Sequence, residues 1–164
     1  MTGLPDPVRV AIDTNVLVYS LDAGAPDRPD PRTAQARALL AQLRDNPAVQ
    51  VVVPVQVSLE LGHVLVRKLA WPAARYRDLL DALTQWIEFS ATDLAACHAA
   101  LELVATRKLQ VFDAAIVSVA KAAGCSVLLS EDMQDRARYG TLTVLNPFLE
   151  ANAATLGEIL TTVH

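Results

Sequence analysis

Asp113 stands near the mouth of a nearly apolar run, VFDAAIVSVAKAAG, at residues 111–124. A charge at the start of a buried helix is costly unless something compensates it. The run leads into SVLLS at 126–130 and then into a second acidic group, Glu131, Asp132 and Asp135. Asp13 follows another apolar run, VRVAI at 8–12. Glu60 lies on a polar stripe with Gln56, His63 and Arg67, spaced as one helix face. Clustered carboxylates repel one another and persist where a divalent cation neutralises them. Oxygen-only donors suit Mg²⁺ or Mn²⁺. Such a site activates water and stabilises the charge of a phosphodiester transition state. Asp13, Glu60, Asp113 and Asp132 are therefore both the candidate metal ligands and the candidate catalytic residues, with Asn15 and Ser130 as supporting polar groups. One metal ion or two is left open.

Each residue also has an ordinary reading. Asp13 and Asp113 can be helix-capping residues. Glu60 can belong to a solvated face, Asn15 and Asp132 to turns, and Ser130 to a strand end. Glu131 and Asp135 compete with Asp132 for its role. The set of four acids in this order is more specific than any member.

Other chemistry has less support. His63, His98 and His164 have no metal-ligand spacing. Ser58 and Ser118 lack a GxSxG context, and neither a Walker loop nor GxGxxG is present. A phosphatase with an aspartate nucleophile needs a second acid where Asp13-Thr14-Asn15 has none.

The elements that must position these residues follow from the punctuation of the chain. Residues 8–12, 49–53, 126–129 and 142–145 read as strands, and 87–89 as a short one. Helices are expected from Asn15 over VLVYSL, over 33–44, from Pro54 to about Leu69, from Pro72 to about Trp86 and from Thr92 or Asp93 to Arg107. A further one covers about 112–123, capped by Gly124. Residues 22–32, DAGAPDRPDPR, read as an exposed loop. Leu156, Ile159, Leu160 and Val163 recur at helical spacing in the tail. Strands separated by helices imply a parallel sheet with helices on both faces. Ligands then bind beyond the carboxyl ends of the strands, where Asp13 and Asp132 stand.

The 164 residues suit one domain, and a 52% hydrophobic content with 5% aromatics implies a core of Ala, Val and Leu. No apolar run reaches the roughly 20 residues of a bilayer span, and MTGLPDPVRV is no charged leader followed by an apolar core. Cys97 and Cys125 form no CxxC, which fits a reduced, cytoplasmic chain. The net charge of −4 argues against gripping nucleic acid by bulk electrostatics. Setting four acids around a cation balances the remaining acids and bases. Local basic pairs, Arg67/Lys68, Arg75/Arg77, Arg107/Lys108 and Arg136/Arg138, are either phosphate contacts or solvated helix ends.

In these residues the chain resembles the PIN-domain family, and within it the VapC-type toxin ribonucleases. The likeness rests on Asp13-Thr14-Asn15-Val16-Leu17, Ser58-Leu59-Glu60-Leu61, Phe112-Asp113-Ala114-Ala115-Ile116, and Leu128 through Asp135 (LLSEDMQD), and it closes at Asn146-Pro147-Phe148. The resemblance implies an α/β; three-layer α/β/α sandwich with a central parallel five-stranded sheet. It implies a nuclease domain over residues 1–148, with 149–164 a helical extension on the domain or a dimer partner. It also implies RNA cleavage by metal-assisted hydrolysis with Mg²⁺ or Mn²⁺. Asp13 and Asp113 would be the most direct ligands, completed by Glu60 and Asp132. The implied partners are RNA, a small antitoxin protein and a second copy of the chain, with operator DNA reached only through the antitoxin. Two other readings stay open: a PIN nuclease of RNA processing without an antitoxin, and a catalytically silent PIN-like binding module. One departure is local: Arg136 stands where a glycine often follows the MQD stretch.

Overall fold

The computed structural model describes residues 6–22 and 27–161. The expected absence of a leader at residues 1–5, part of the 22–32 loop, Val163 and His164 lie outside the described residues. The strands are β1 (Val8–Ile12), β2 (Val49–Pro54), β3 (Ile87–Ser90), β4 (Val127–Leu129), β5 (Arg138–Tyr139) and β6 (Leu142–Leu145). They form one sheet in the order β3-β2-β1-β4-β6-β5. All neighbours run parallel except β5, which pairs antiparallel with β6 at the edge. Consecutive residues Val10–Ile12, Val51–Pro54 and Val127–Leu129 are all buried. Side chains alternate between faces along a strand, so an unbroken buried run means that both faces are covered.

The helices are α1 (Thr14–Leu21), α2 (Pro31–Asp45), α3 (Val55–His63), α4 (Ala73–Leu83), α5 (Leu94–Arg107), α6 (Val111–Ala122) and α7 (Ala153–Thr161). Helices α1, α2 and α3 pack together, and α5 packs on α6. Leu156, Ile159 and Leu160 of α7 lie against the main core, and the Asn46 side chain donates to the Leu160 carbonyl at 2.5 Å. A helix that precedes a parallel strand runs back to the strand's start. The N-terminus of α6 therefore sits at the carboxyl rim of the sheet, with Asp113 in its first turn.

Four local features differ from the sequence reading. The sheet has a sixth, antiparallel strand, because residues 138–145 form a hairpin around Gly140 at φ +68. Two residues are too few for β5 to leave a periodic signal. Pro54 ends β2 and is the cap of the next helix rather than a residue of its first turn; it pairs with Ser90 and has the extended ψ of 135°. The expected helix to Leu69 becomes a π-helical turn at Val64–Lys68, which puts Arg67 out of phase with Gln56 and Glu60. Asp113 is not the cap of α6; Gln110 occupies that position and makes no side-chain cap bond. Elsewhere the punctuation holds. Asp93 caps α5 by accepting from the Ala96 N–H at 2.8 Å. Gly124, at φ +75, follows α6 and lets Cys125 donate back to the Ala120 carbonyl.

Arg136 lies at φ +60, in the left-handed region that glycine occupies without penalty. The strain for a residue with a Cβ is about 1–2 kcal/mol. Its guanidinium donates to the Ala151 carbonyl at 3.1 Å from an exposed position, which offsets only part of that. We expect Arg136→Gly to raise the unfolding free energy by about 1 kcal/mol, measured by urea titration. A lower midpoint would show that the Ala151 contact outweighs the backbone strain.

Candidate active site

The site is built where β1 and β4 end side by side. Asp13 follows β1 directly, and its N–H donates to the Leu129 carbonyl at 2.9 Å, closing the two strand ends together. Its carboxylate caps α1: Oδ1 accepts from the Thr14 N–H at 2.6 Å. Oδ2 accepts from the Ser130 hydroxyl at 2.7 Å. Asp13 is 6% exposed and Ser130 fully buried, so both partners are fixed from within the fold.

The next two residues of α1 reach the other acids. The Thr14 hydroxyl donates to Glu60 Oε2 at 2.8 Å, and the Asn15 amide donates to Asp132 Oδ2. Glu60 is held again from its own helix, where the Gln56 amide donates to Oε1 at 2.8 Å across one turn. The same amide approaches the Phe112 carbonyl at 3.4 Å, tying α3 to the start of α6. Asp113 sits in that first turn with no hydrogen-bond partner among the described residues. Its field couples to Asp132 and to Glu60.

The four sequence-predicted acids thus meet at one rim, together with Asn15 and Ser130. Thr14 and Gln56 belong to the same group and were missed. Gln56 had a signal, since it stands four residues before Glu60 on one face. Thr14 had none, because its partner is 46 residues away. Phe112, 69% exposed beside Asp113, also borders the rim.

The competing acids are turned elsewhere. Glu131 accepts from Arg32 at 2.6 Å. Asp135 accepts from the Asn146 N–H and the Asn152 amide, each at 2.8 Å. His63 and His98 are exposed. Of the basic pairs, Arg75 lies over the Trp71 ring, Arg77 pairs with Asp78, Arg107 bonds the Arg138 carbonyl, and Arg136 bonds that of Ala151. Arg67 and Lys68 are exposed and carry no ion pair among the described residues.

The electrostatics follow from this arrangement. Burial pushes the Asp13 carboxyl up to about 6; the bonds from Ser130 and Thr14 oppose that, and the charges of Asp113 and Glu60 add to it. Asp113 is raised as well, first by desolvation and then by Asp132 and Glu60. None of the four acids is paired with an arginine or lysine among the described residues. No three His, Cys, Asp or Glu side chains among the described residues form a ready-made metal cage. The donor set nevertheless fits a hard divalent cation: it is all oxygen, it carries no protein cation among the described residues, and the charges of its neighbours add to the rise of Asp13 and of Asp113.

A buried Asp with a raised pKa favours the folded state most when protonated. That contribution is full below the unfolded value of 3.8 and is lost as pH rises through about 6. The charge on Asp13 therefore destabilises the metal-free fold at neutral pH by up to about 3 kcal/mol. We expect Asp13→Asn in chelator to be more stable than the parent at pH 7.5 and nearly equal to it at pH 4, by urea unfolding. Equal stability at both pH values would contradict the burial cost.

The PIN domain profile matches residues 10–138. Three solved structures are similar in fold. Mycobacterium tuberculosis VapC20, a sarcin-ricin loop cleaving toxin, aligns with a TM-score of 0.60 at 21% identity, over 75% of this chain and 89% of that one. A toxin-antitoxin complex from Klebsiella pneumoniae gives 0.60 at 19% identity, over 85% and 98%. VapBC2 from Rickettsia felis, bound to a DNA fragment from its promoter, gives 0.58 at 18%, over 84% and 97%. No curated protein matches the sequence significantly. With the profile spanning residues 10–138 and a mostly parallel central sheet flanked by helices, the chain belongs to the PIN-domain family.

Proposed function

We propose that this protein is a Mg²⁺- or Mn²⁺-dependent endoribonuclease, the VapC-like toxin of a type II toxin–antitoxin pair. The observation that carries the reading is the group Asp13, Glu60, Asp113 and Asp132 at one rim: neutral donors hold Asp13, Glu60 and Asp132, and none of the four meets an arginine or lysine among the described residues. The solved structures of similar fold, a toxin and two toxin–antitoxin complexes, support the toxin assignment. The nuclease domain is residues 1–148 and the helical extension 149–164. The partners are RNA, a small antitoxin protein and a second copy of the chain, with operator DNA engaged only through the antitoxin. In this reading the toxin works where its RNA is, in the cytoplasm.

In this reading Asp13 and Asp113 would hold the cation directly, and Glu60 and Asp132 would complete its surroundings. When bound, the cation supplies charge stabilisation to the phosphodiester and lowers the pKa of water at the site. The chain does the rest. Ser130 and the Thr14 N–H keep the two Asp13 oxygens oriented. Thr14 and Gln56 fix both Glu60 oxygens. Asn15 turns Asp132 toward the rim. Arg67 and Lys68, on the continuation of α3, are free to meet phosphates.

We expect Asp113→Asn to lower metal-dependent RNA cleavage at least about 100-fold while the melting temperature in chelator does not fall. The assay is partner-free protein on a panel of structured RNAs in Mg²⁺, Mn²⁺ or chelator. Full activity in that variant would overturn the site assignment. Millimolar Mn²⁺ should raise the parent's melting temperature, and raise that of Asp113→Asn less, because ligand binding to the folded state adds to its stability. A melting temperature indifferent to metal would contradict a formed site.

A further inference from the structure

The loop after β4 is pinned at alternate points. Ser130 bonds Asp13 and accepts from the Met133 N–H, Met133 is 5% exposed, and Asp135 is fixed by Asn146 and Asn152. Asp132 is exposed, and among the described residues its side chain is hydrogen-bonded only by the Asn15 amide. Beside it, Glu131 points into a separate network. Its carboxylate accepts from Arg32 Nη1 at 2.6 Å. Asp30 grips the other edge of the same guanidinium, accepting from Nε at 3.0 and 3.1 Å and from Nη2 at 2.6 Å. The guanidinium carbon lies 4.2 Å from the centre of the Tyr19 ring, which meets Phe148 edge-on at 5.4 Å.

We propose that Tyr19, Arg32 and Glu131 form a latch that fixes the loop carrying Asp132 and keeps the Glu131 charge out of the acidic cluster. Arg32 and Glu131 are thus positioning residues for Asp132. An exposed ion pair would contribute little. This one differs in its geometry. Arg32 and Glu131 are half-buried, with side chains 36% and 21% exposed. One guanidinium engages two carboxylates and an aromatic face, which a lysine cannot reproduce. The latch also spans separate parts of the chain: α1, the start of α2, the loop after β4, and Phe148 beyond β6. The charge argument is independent of the geometry. Glu131 adjoins Asp132, and without Arg32 it would stand as a fifth unneutralised acid at the rim.

The proposal rests on the reading of Asp132 as part of a cation site, so its test has arms that do not need cleavage. Arg32→Met, Arg32→Lys, Glu131→Gln and the double variant Arg32→Met/Glu131→Gln would be compared with the parent. Hydrogen exchange in chelator follows residues 130–136, calorimetry gives Mn²⁺ affinity, and kinetics on a cleaved RNA separates kcat from KM. In Arg32→Met we expect exchange of that segment and the Mn²⁺ dissociation constant each to rise about 10-fold. The central strands should stay protected, and kcat should fall with KM within about two-fold. Arg32→Lys should fall between. The double variant should bind Mn²⁺ better than Arg32→Met, because the stranded carboxylate is gone. Exchange and Mn²⁺ affinity both unchanged in Arg32→Met would overturn the latch. A parent that binds Mn²⁺ but cleaves no RNA would overturn the ribonuclease reading instead, and the exchange and affinity arms would still decide the latch.

Discussion

The repulsion among four carboxylates at one sheet rim is the constraint on which the site depends. At Asp13 it adds to the cost of burial, since that carboxyl is nearly buried and also lies within the fields of Asp113 and Glu60. A fold that held such a group together by attraction would need cations in it. Here the acids are instead held apart and in place by the backbone that carries them. Strand pairing sets Asp13 beside Ser130, α1 delivers Thr14 and Asn15 to the flanking acids, and α6 brings Asp113 in its first turn. The apolar run of α6, buried from Ala114 to Ala120, anchors that helix strongly enough to tolerate the charge.

What the sequence makes legible follows from how local each cause is. The five parallel strands are readable because each is a short β-branched run bounded by turn residues, and parallel order follows from the helices between them. The meeting of Asp13, Glu60, Asp113 and Asp132 at one edge follows from the same topology. The edge strand β5 is too short to carry a pattern, and the π-helical turn after α3 leaves no compositional mark. Choosing among Glu131, Asp132 and Asp135 is beyond local reasoning. Their directions are set by Arg32, Asn15 and Asn146, which lie 99, 117 and 11 residues away.

Arg136 shows the converse case, in which a local oddity in the sequence has a backbone cause. The loop after Asp135 requires a left-handed residue so that the chain can turn back: the Arg136 N–H donates to the Val144 carbonyl, and Val144 donates in return to Ala137. Glycine meets that requirement freely. Arginine meets it with strain, in exchange for a tether to the turn that precedes α7. The conformation is therefore dictated by the hairpin, whichever residue occupies the position.

The acids of the rim differ from the arginine-paired acids of this chain in the kind of partner they have, although a neutral partner alone also serves a plain helix cap such as Asp93. Glu88, Asp45, Asp78, Asp30 and Glu131 each meet an arginine, which neutralises them where they stand. Asp13, Glu60 and Asp132 meet a hydroxyl, an amide or a backbone N–H, and Asp113 meets none of these among the described residues. A neutral donor orients a carboxylate and leaves its charge in place, whereas a guanidinium orients it and cancels the field. If the cluster were only structural, a cationic partner such as Arg32 would relieve its repulsion. Arg32 is instead committed to the neighbouring Glu131. The charge that remains at the rim is what a divalent cation needs in order to bind there without displacing a protein cation first.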